Sequence, residues 1–336
     1  MVMQTLTLEA VEELATEALL SSGASPNNAV TVAQSVMAAE ADGLRSHGLS
    51  RLPTYMDHVR IGKVDGKATP SFTRPSAAVV SADAACGFAH PAIAPGLTYV
   101  ANAARENGVA ALAVRNSYNC GVVGHHVEAL AHAGLVGIAF VNAPPSIAPW
   151  GGTRPLFGTN PIAFAAPRRN GDPIIVDQSS SVIARGEILV HSQLGKPLQE
   201  GWALDVDGHP TTDAKLALQG SLLPSGGYKG SNMALMIDLL AGALLGTHIG
   251  IEASSFGGND GGPPRTGQLF LALNPGAFAE VDAFWHRTEL LIEAILGQPG
   301  THIPGAARAE RRARARQDGV LVPEELIKQI QQKMNG

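Results

Sequence analysis

No two of the 38 glycines in this chain stand two residues apart, so the spacing G-x-G-x-x-G occurs nowhere in it. That spacing opens the phosphate-binding turn of a Rossmann sheet, where each glycine answers a separate steric demand. A G-x-x-x-x-G-K-[ST] loop is also missing, and so are H-E-x-x-H and G-x-S-x-G. A Rossmann dinucleotide fingerprint and a P-loop therefore both lack their sequence signal. Metalloprotease and α/β-hydrolase readings lose their sequence support as well.

At 336 residues the chain exceeds the size at which one core usually stops growing, which predicts two domains. Apolar residues three and four apart predict helices within 7–43, with a turn at Ser22–Pro26, and a third helical piece over 49–59. Residues 61–72 read as a connector. Strands are expected at 78–82, 109–115, 135–141, 161–166, 173–177 and 267–273. Helices are expected at 91–108, 125–134, 231–245, 278–296 and 322–334. The fold class is therefore α/β (α+β): a helical domain from both chain ends, 1–75 plus 278–336, around an inserted α/β domain, 76–277.

Composition narrows the function. A net charge of −5 argues against a nucleic-acid partner. Two cysteines, Cys86 and Cys120, cannot form a disulfide framework or a four-cysteine zinc site, and they suit a reducing compartment. Residues 1–20 carry four Glu and no Lys or Arg, unlike a signal peptide. The longest apolar stretch, Met233–Gly246, is too short to span a bilayer and reads as a buried core helix. A soluble, cytoplasmic protein without a membrane partner is expected.

Four segments look too specific for scaffolding alone. Ser46-His47-Gly48-Leu49-Ser50-Arg51 reads as a helix opening, with His47 and Arg51 on one face. A histidine moves protons near neutral pH and an arginine's planar fork suits a carboxylate, although a capped helix start with a surface arginine explains the same residues. Gly158-Thr159-Asn160-Pro161 clusters turn residues before a strand, as ligand-approaching loops and plain tight turns both do. Asp177-Gln178-Ser179-Ser180-Ser181 ends a strand with hydroxyls that suit a cofactor. Glu187, ten residues on from Asp177, either orients His47 or is solvated. Pro224-Ser225-Gly226-Gly227-Tyr228-Lys229-Gly230 leads into an apolar helix whose N-terminus favours anions, and Lys229 adds charge. Two further stretches are set aside. His125, His126, Glu128 and His132 lack a fourth metal ligand and read as an ordinary exposed helix, so no metal is expected. Arg308, Arg311, Arg312, Arg314 and Arg316 read as a solvated helix, or more sharply as support for a cofactor phosphate.

In this order and spacing the four segments resemble the malate/L-lactate dehydrogenase-like family of NAD(P)-dependent oxidoreductases, from Leu8 to about Arg316. That family also holds sulfolactate, ureidoglycolate and diketogulonate oxidoreductases and the piperideine- and pyrroline-2-carboxylate reductases. The resemblance implies a non-Rossmann nicotinamide-binding fold and a homodimer. It assigns His47 as proton donor, Ser46 and Glu187 as the relay behind it, and Arg51 and Thr159 as substrate contacts. Cofactor contacts would fall on Asn119, Cys120, Gly121, Val122, Val123, Asp177, Gln178, Ser179, Tyr228, Lys229, His302, Pro304, Gly305 and Arg308. The family's usual Asn-Ser-x-His-Phe-Gly is here Asn116-Ser117-Tyr118-Asn119-Cys120-Gly121, so a histidine proposed as an acid/base residue in some branches is Asn119. The implied activity is NAD(P)H-dependent hydride transfer to a small 2-oxo acid or cyclic 2-imino carboxylate. NADPH is favoured over NADH because Arg308, Arg311 and Arg312 could reach a 2′-phosphate. The alternatives are a 2-hydroxy-acid dehydrogenase of the sulfolactate, malate or lactate type and a catalytically silent relative that binds cofactor or carboxylate.

Overall fold

The computed structural model describes residues 2–336. The chain runs β1 (Met3–Leu6), α1 (Leu8–Ser21), α2 (Pro26–Ala41), α3 (Leu52–Arg60), β2 (Ser71–Ser76), β3 (Val79–Asp83), α4 (His90–Asn107), β4 (Val109–Ser117), α5 (Val123–His132), β5 (Val136–Val141), β6 (Ile162–Ala166) and β7 (Ile174–Gln178). It continues α6 (Arg185–Leu194), β8 (Ala203–Leu204), β9 (Pro210–Thr211), α7 (Ala214–Gln219), β10 (Ser221–Leu222), α8 (Tyr228–Asp238), β11 (Thr266–Leu273), α9 (Val281–Leu296), α10 (Ala306–Asp318), β12 (Val320–Pro323) and α11 (Glu324–Asn335).

Seven strands form one mixed sheet in the order β2-β3-β4-β11-β5-β6-β7, with β3–β4 its parallel pair. Side chains alternate across a strand, so each strand serves two cores. Leu112, Val114, Ala139, Phe270 and Ala272 face α4 and α5, burying Ile93, Val100, Val127 and Leu130. Their neighbours Phe140 and Leu269 face the other way, onto Ile237 of α8 and Ala241 of the π turn that prolongs it.

A second core gathers α1, α2, α3 and α11 around Val11, Leu19, Val36, Leu52 and Ile330. Thr7 caps α1 by accepting the Ala10 N–H, and Ser25 precedes Pro26 at the start of α2. The chain ends meet here, because β1 pairs antiparallel with β12, Met3 opposite Pro323.

Several sequence boundaries shift. The connector read over 61–72 ends in the sheet's edge strand β2, Ser71–Ser76, whose remaining residues carried no assignment. Helix α9 stands apart from the helical core. It is tied to the loop after β6 by a two-pronged Arg168–Glu289 pair at 2.8 and 3.2 Å and by Arg169–Asp282. Between β7 and α8 a small unit, with β8 central between β9 and β10 and flanked by α6 and α7, builds its own core on Ile147, Ile188, Leu198 and Leu222. Its two-residue strands carry no readable period. The 233–246 stretch is not a fully buried helix either: Leu235, Met236, Leu239 and Leu244 lie exposed along it. Among the described residues no helix is long and apolar enough to cross a membrane.

Candidate active site

Ser46-His47 does not open an α-helix. Two 3₁₀ turns, Arg45–His47 and Leu49–Arg51, meet at Gly48 before α3 begins. The turn is fixed from beneath by Glu40 of α2, whose Oε1 accepts the Leu49 N–H at 2.7 Å. Ser46 Oγ lies 3.0 Å from His47 Nδ1. His47 keeps solvent-exposed surface while protein surrounds it on most sides. Desolvation first, then the positive charge of Arg51, pulls its pKa down to about 4, and the Asp177 carboxylate opposes them. Water at the open side moderates the desolvation, so the downward direction is what bears on chemistry.

Asp177 ends β7, accepts the Gly124 N–H at 3.0 Å and faces Arg308 at 3.4 Å. The Ile175 N–H donates to Pro304 O, which lays the 304–308 segment along β7 and delivers Arg308 to Asp177. Gly121 to Gly124, Asp177 and Pro304 to Arg308 therefore converge. His302 is exposed and has no polar partner among the described residues.

The remaining segments are knotted together. Thr159 O accepts from Ser180 N and Ser179 Oγ, and Asn160 O accepts from Ser180 Oγ at 2.7 Å. Asn160 Nδ2 donates to Ala234 O of α8, and Ser225 N donates to Ser180 O. Gly227 caps α8 at φ +65°, ψ −125°, a conformation that only glycine adopts easily. A Cβ there would also press on the Trp150 ring. Tyr228 and Lys229 stand exposed on the first turn, where helix N–H groups lack intrahelical partners.

Two expectations fare differently. Glu187 is exposed on α6 and faces His191 at 3.8 Å, making no hydrogen bond to Ser46 or His47; Asp177 is the carboxylate whose charge reaches the ring. Its neighbour Gly186 does approach Ser46, which places the start of α6 at the rim. Asn119 works as a structural hub, its Oδ1 accepting from Tyr55 Oη at 2.8 Å and from the Gly121 N–H. Beside it Tyr118 is fully buried, 2.6 Å from His58 Nδ1, and burial pushes its pKa well up.

Sequence reasoning missed a buried charge cluster under the site. Asp42, fully buried at the end of α2, receives Arg312 Nε at 2.8 Å and His125 Nε2 at 2.9 Å, and Arg312 also grips Glu128 at 2.7 Å. Burial alone would raise the Asp42 pKa, but these partners hold it at about 2. Helix α5 is thus not an ordinary exposed helix. The arginine stretch is not simply solvated: Arg308 faces Asp177, Arg311 donates to Asp42 O, and Arg312 is consumed by two carboxylates. The single Asp preceding Gly43 gave no hint of it. The one metal-like grouping among the described residues, Asp205, Asp207 and His209, lies away from this region in the β8–β9 turn.

A family model described as malate/L-lactate dehydrogenase matches residues 6–331. The chain belongs to the malate/L-lactate dehydrogenase family. Within that family it is 44% identical to a (2R)-3-sulfolactate dehydrogenase (NADP(+)) of Chromohalobacter salexigens, over 97% of this chain and 96% of that one. It is 40% identical to a Δ1-pyrroline-2-carboxylate reductase of Burkholderia ambifaria, over 97% of this chain and 96% of that one. Among solved structures, a Δ1-piperideine-2-carboxylate reductase from Pseudomonas syringae superposes with a TM-score of 0.93 at 36% identity, covering 98% of this chain and 99% of that one. This member of the malate/L-lactate dehydrogenase family is an oxidoreductase.

Proposed function

We propose that this dehydrogenase-family member transfers hydride between NAD(P)H and a small 2-oxo acid or cyclic 2-imino carboxylate, running in reverse on a 2-hydroxy acid. The observation that carries the reading is electrostatic: the imidazole of His47 lies within range of two opposing charges, those of Arg51 and Asp177. A cation within range of a proton-transfer group is where a substrate carboxylate belongs.

A nicotinamide nucleotide fits the residues around Asp177. At Gly124 a Cβ would run into Asp177 and Arg308, so the backbone there must stay bare, and the α8 N-terminus offers N–H groups beside Lys229 to a phosphate. Gly121 to Val123, Asp177 to Ser179, Tyr228, Lys229 and the 304–308 segment would hold the cofactor, which supplies the hydride. NADPH is favoured, and Arg308 is the arginine best placed to meet its extra phosphate, since Arg312 is already saturated.

Arg51 would bind the substrate carboxylate, with Thr159 beside it. Once that carboxylate neutralises Arg51, the charge that lowers the His47 pKa is offset, so His47 gains proton affinity as substrate binds. The proton then goes from His47 to the C2 oxygen or the imine nitrogen. Ser46 Oγ, 3.0 Å from Nδ1, fixes the ring's orientation. The greater identity to a sulfolactate dehydrogenase favours a second reading, a 2-hydroxy acid with an added anionic group. We infer a homodimer and a cytoplasmic location as well. A panel of 2-oxo acids, sulfopyruvate and cyclic imines, assayed with NADPH and NADH in parallel, tests the reading. Absence of turnover on every member with either cofactor, despite cofactor binding, would leave a silent binding relative.

A further inference from the structure

We propose that Glu40 is the positioning residue for His47, acting as a carboxylate wedge that holds the Ser46–Arg51 double turn at its pivot, Gly48. The proposal rests on the reading above that His47 moves the proton.

Glu40 sits on the last turn of α2 and is 6% exposed. A buried carboxylate is costly unless something uses it. Its Oε1 accepts the backbone N–H of Leu49 at 2.7 Å, the residue just past the junction of the two 3₁₀ turns. Gly48 itself has φ −90°, so no left-handed conformation demands a glycine there. Space does. A Cβ on Gly48 would overlap Oε1, Cδ and Cγ of Glu40, all well inside van der Waals contact. The carboxylate therefore occupies the volume that any other residue at 48 would need. One side chain accepts the N–H that opens the second turn and supplies the packing surface at the pivot. His47 precedes the pivot and Arg51 closes the second turn, so their relative placement depends on the angle at Gly48. Burial raises the Glu40 pKa while the Leu49 N–H and the charge of Arg45 lower it, so net burial leaves it above the usual carboxylate range. Protonation would leave a carbonyl oxygen able to accept the same bond.

The test is a mutant cycle at 40 and 48 read by steady-state kinetics, NADPH binding and thermal melts. Glu40→Gln keeps an oxygen acceptor and should retain kcat within a few-fold of the parent. Glu40→Ala removes bond and wedge and should lower kcat by about 10²-fold, the scale of an ångström-sized misplacement, with NADPH affinity unchanged. Gly48→Ala should lower kcat similarly. The double variant Glu40→Ala/Gly48→Ala should be no worse than either single, because the clash is gone. Additive losses, or equal damage from Glu40→Gln and Glu40→Ala, overturn the wedge. If Glu40→Ala fails to fold, the contrast between Glu40→Gln and Gly48→Ala decides: a folded Gly48→Ala at parental kcat overturns the proposal. His47→Asn serves as the control. Should it keep full turnover, the proton-transfer reading fails, while relief of the Gly48→Ala melting penalty by Glu40→Ala would still report the wedge.

Discussion

At the scale of single residues, His47 feels opposing charges, and its variants separate the roles. General acid–base catalysis is worth about 10²–10⁴-fold, so His47→Asn should lower kcat by that order with NADPH binding intact. The pH profile sharpens this. In the oxidative direction His47 must be neutral to accept a proton, and desolvation and Arg51 hold its pKa below 6.5 in the free protein. The acid limb of kcat/KM should therefore stay flat well below pH 6.5. Asp177 raises that pKa, so Asp177→Asn should move the limb lower still, whereas Glu187→Gln should leave it in place. A limb that follows Glu187 instead would restore the expected relay. Ser46, His47 and Arg51 were readable because their chemistry lies within six consecutive residues. Asp177 was readable as a strand-end carboxylate, but its link to His47 was not, because it spans 130 residues of chain. Glu40 left no trace, since a glutamate on an amphipathic helix ordinarily faces water.

Between elements, the Asp42–Arg312–Glu128 cluster joins α2, α10 and α5, and Asp42 also holds His125, the residue after Gly124. Removing one partner of a buried ion pair strands the others, so Arg312→Ala should cost about 3–5 kcal/mol in urea unfolding. Replacing the guanidinium with no measurable loss would show the cluster to be solvated after all. The contact between α4 and α5 adds a pH response. His90 and His126, with ring centroids 6.0 Å apart, are held neutral by burial, at pKa values of about 3 and about 4. Both folded values lie below the usual 6.5. As pH falls below 6.5 the unfolded chain takes up protons that the folded chain refuses, and stability is lost down to about pH 4. Each histidine contributes up to about 1.4 kcal/mol per pH unit there. His126→Gln, which can still donate to Cys120 O, should flatten that slope in melts between pH 6.5 and 4; an unchanged slope would assign it elsewhere. The strand at 135–141 was legible as a continuous apolar run, and that at 267–273 was legible as a strand too. Their adjacency was not, because β11 inserts between β4 and β5 from more than 120 residues away.

For the molecule as a whole, the exposed Leu235, Met236, Leu239 and Leu244 make the surface of α8 and its π turn the first place to look for a subunit contact. Light scattering should report a dimer at micromolar concentration, and Leu239→Lys should shift it towards monomer; a parent chain that scatters as a monomer removes the expectation. The mixed α/β class was legible from the alternation of periods along the chain. The small unit between β7 and α8 was not, because strands of two residues are fixed by tertiary pairing and not by pattern. The clasp of β1 on β12 has a kinetic meaning. Residue 6 finds its partner only at residue 320, so synthesis must pass that residue before the N-terminal helices can gain the β12 and α11 side of their core around Val11 and Leu19. The central sheet, complete once β11 has emerged, is free to form earlier, and the helical core must wait for the last stretch of synthesis. During that interval the first helices present bare apolar faces, and a nascent chain stalled short of β12 is the form that chaperones would be expected to hold.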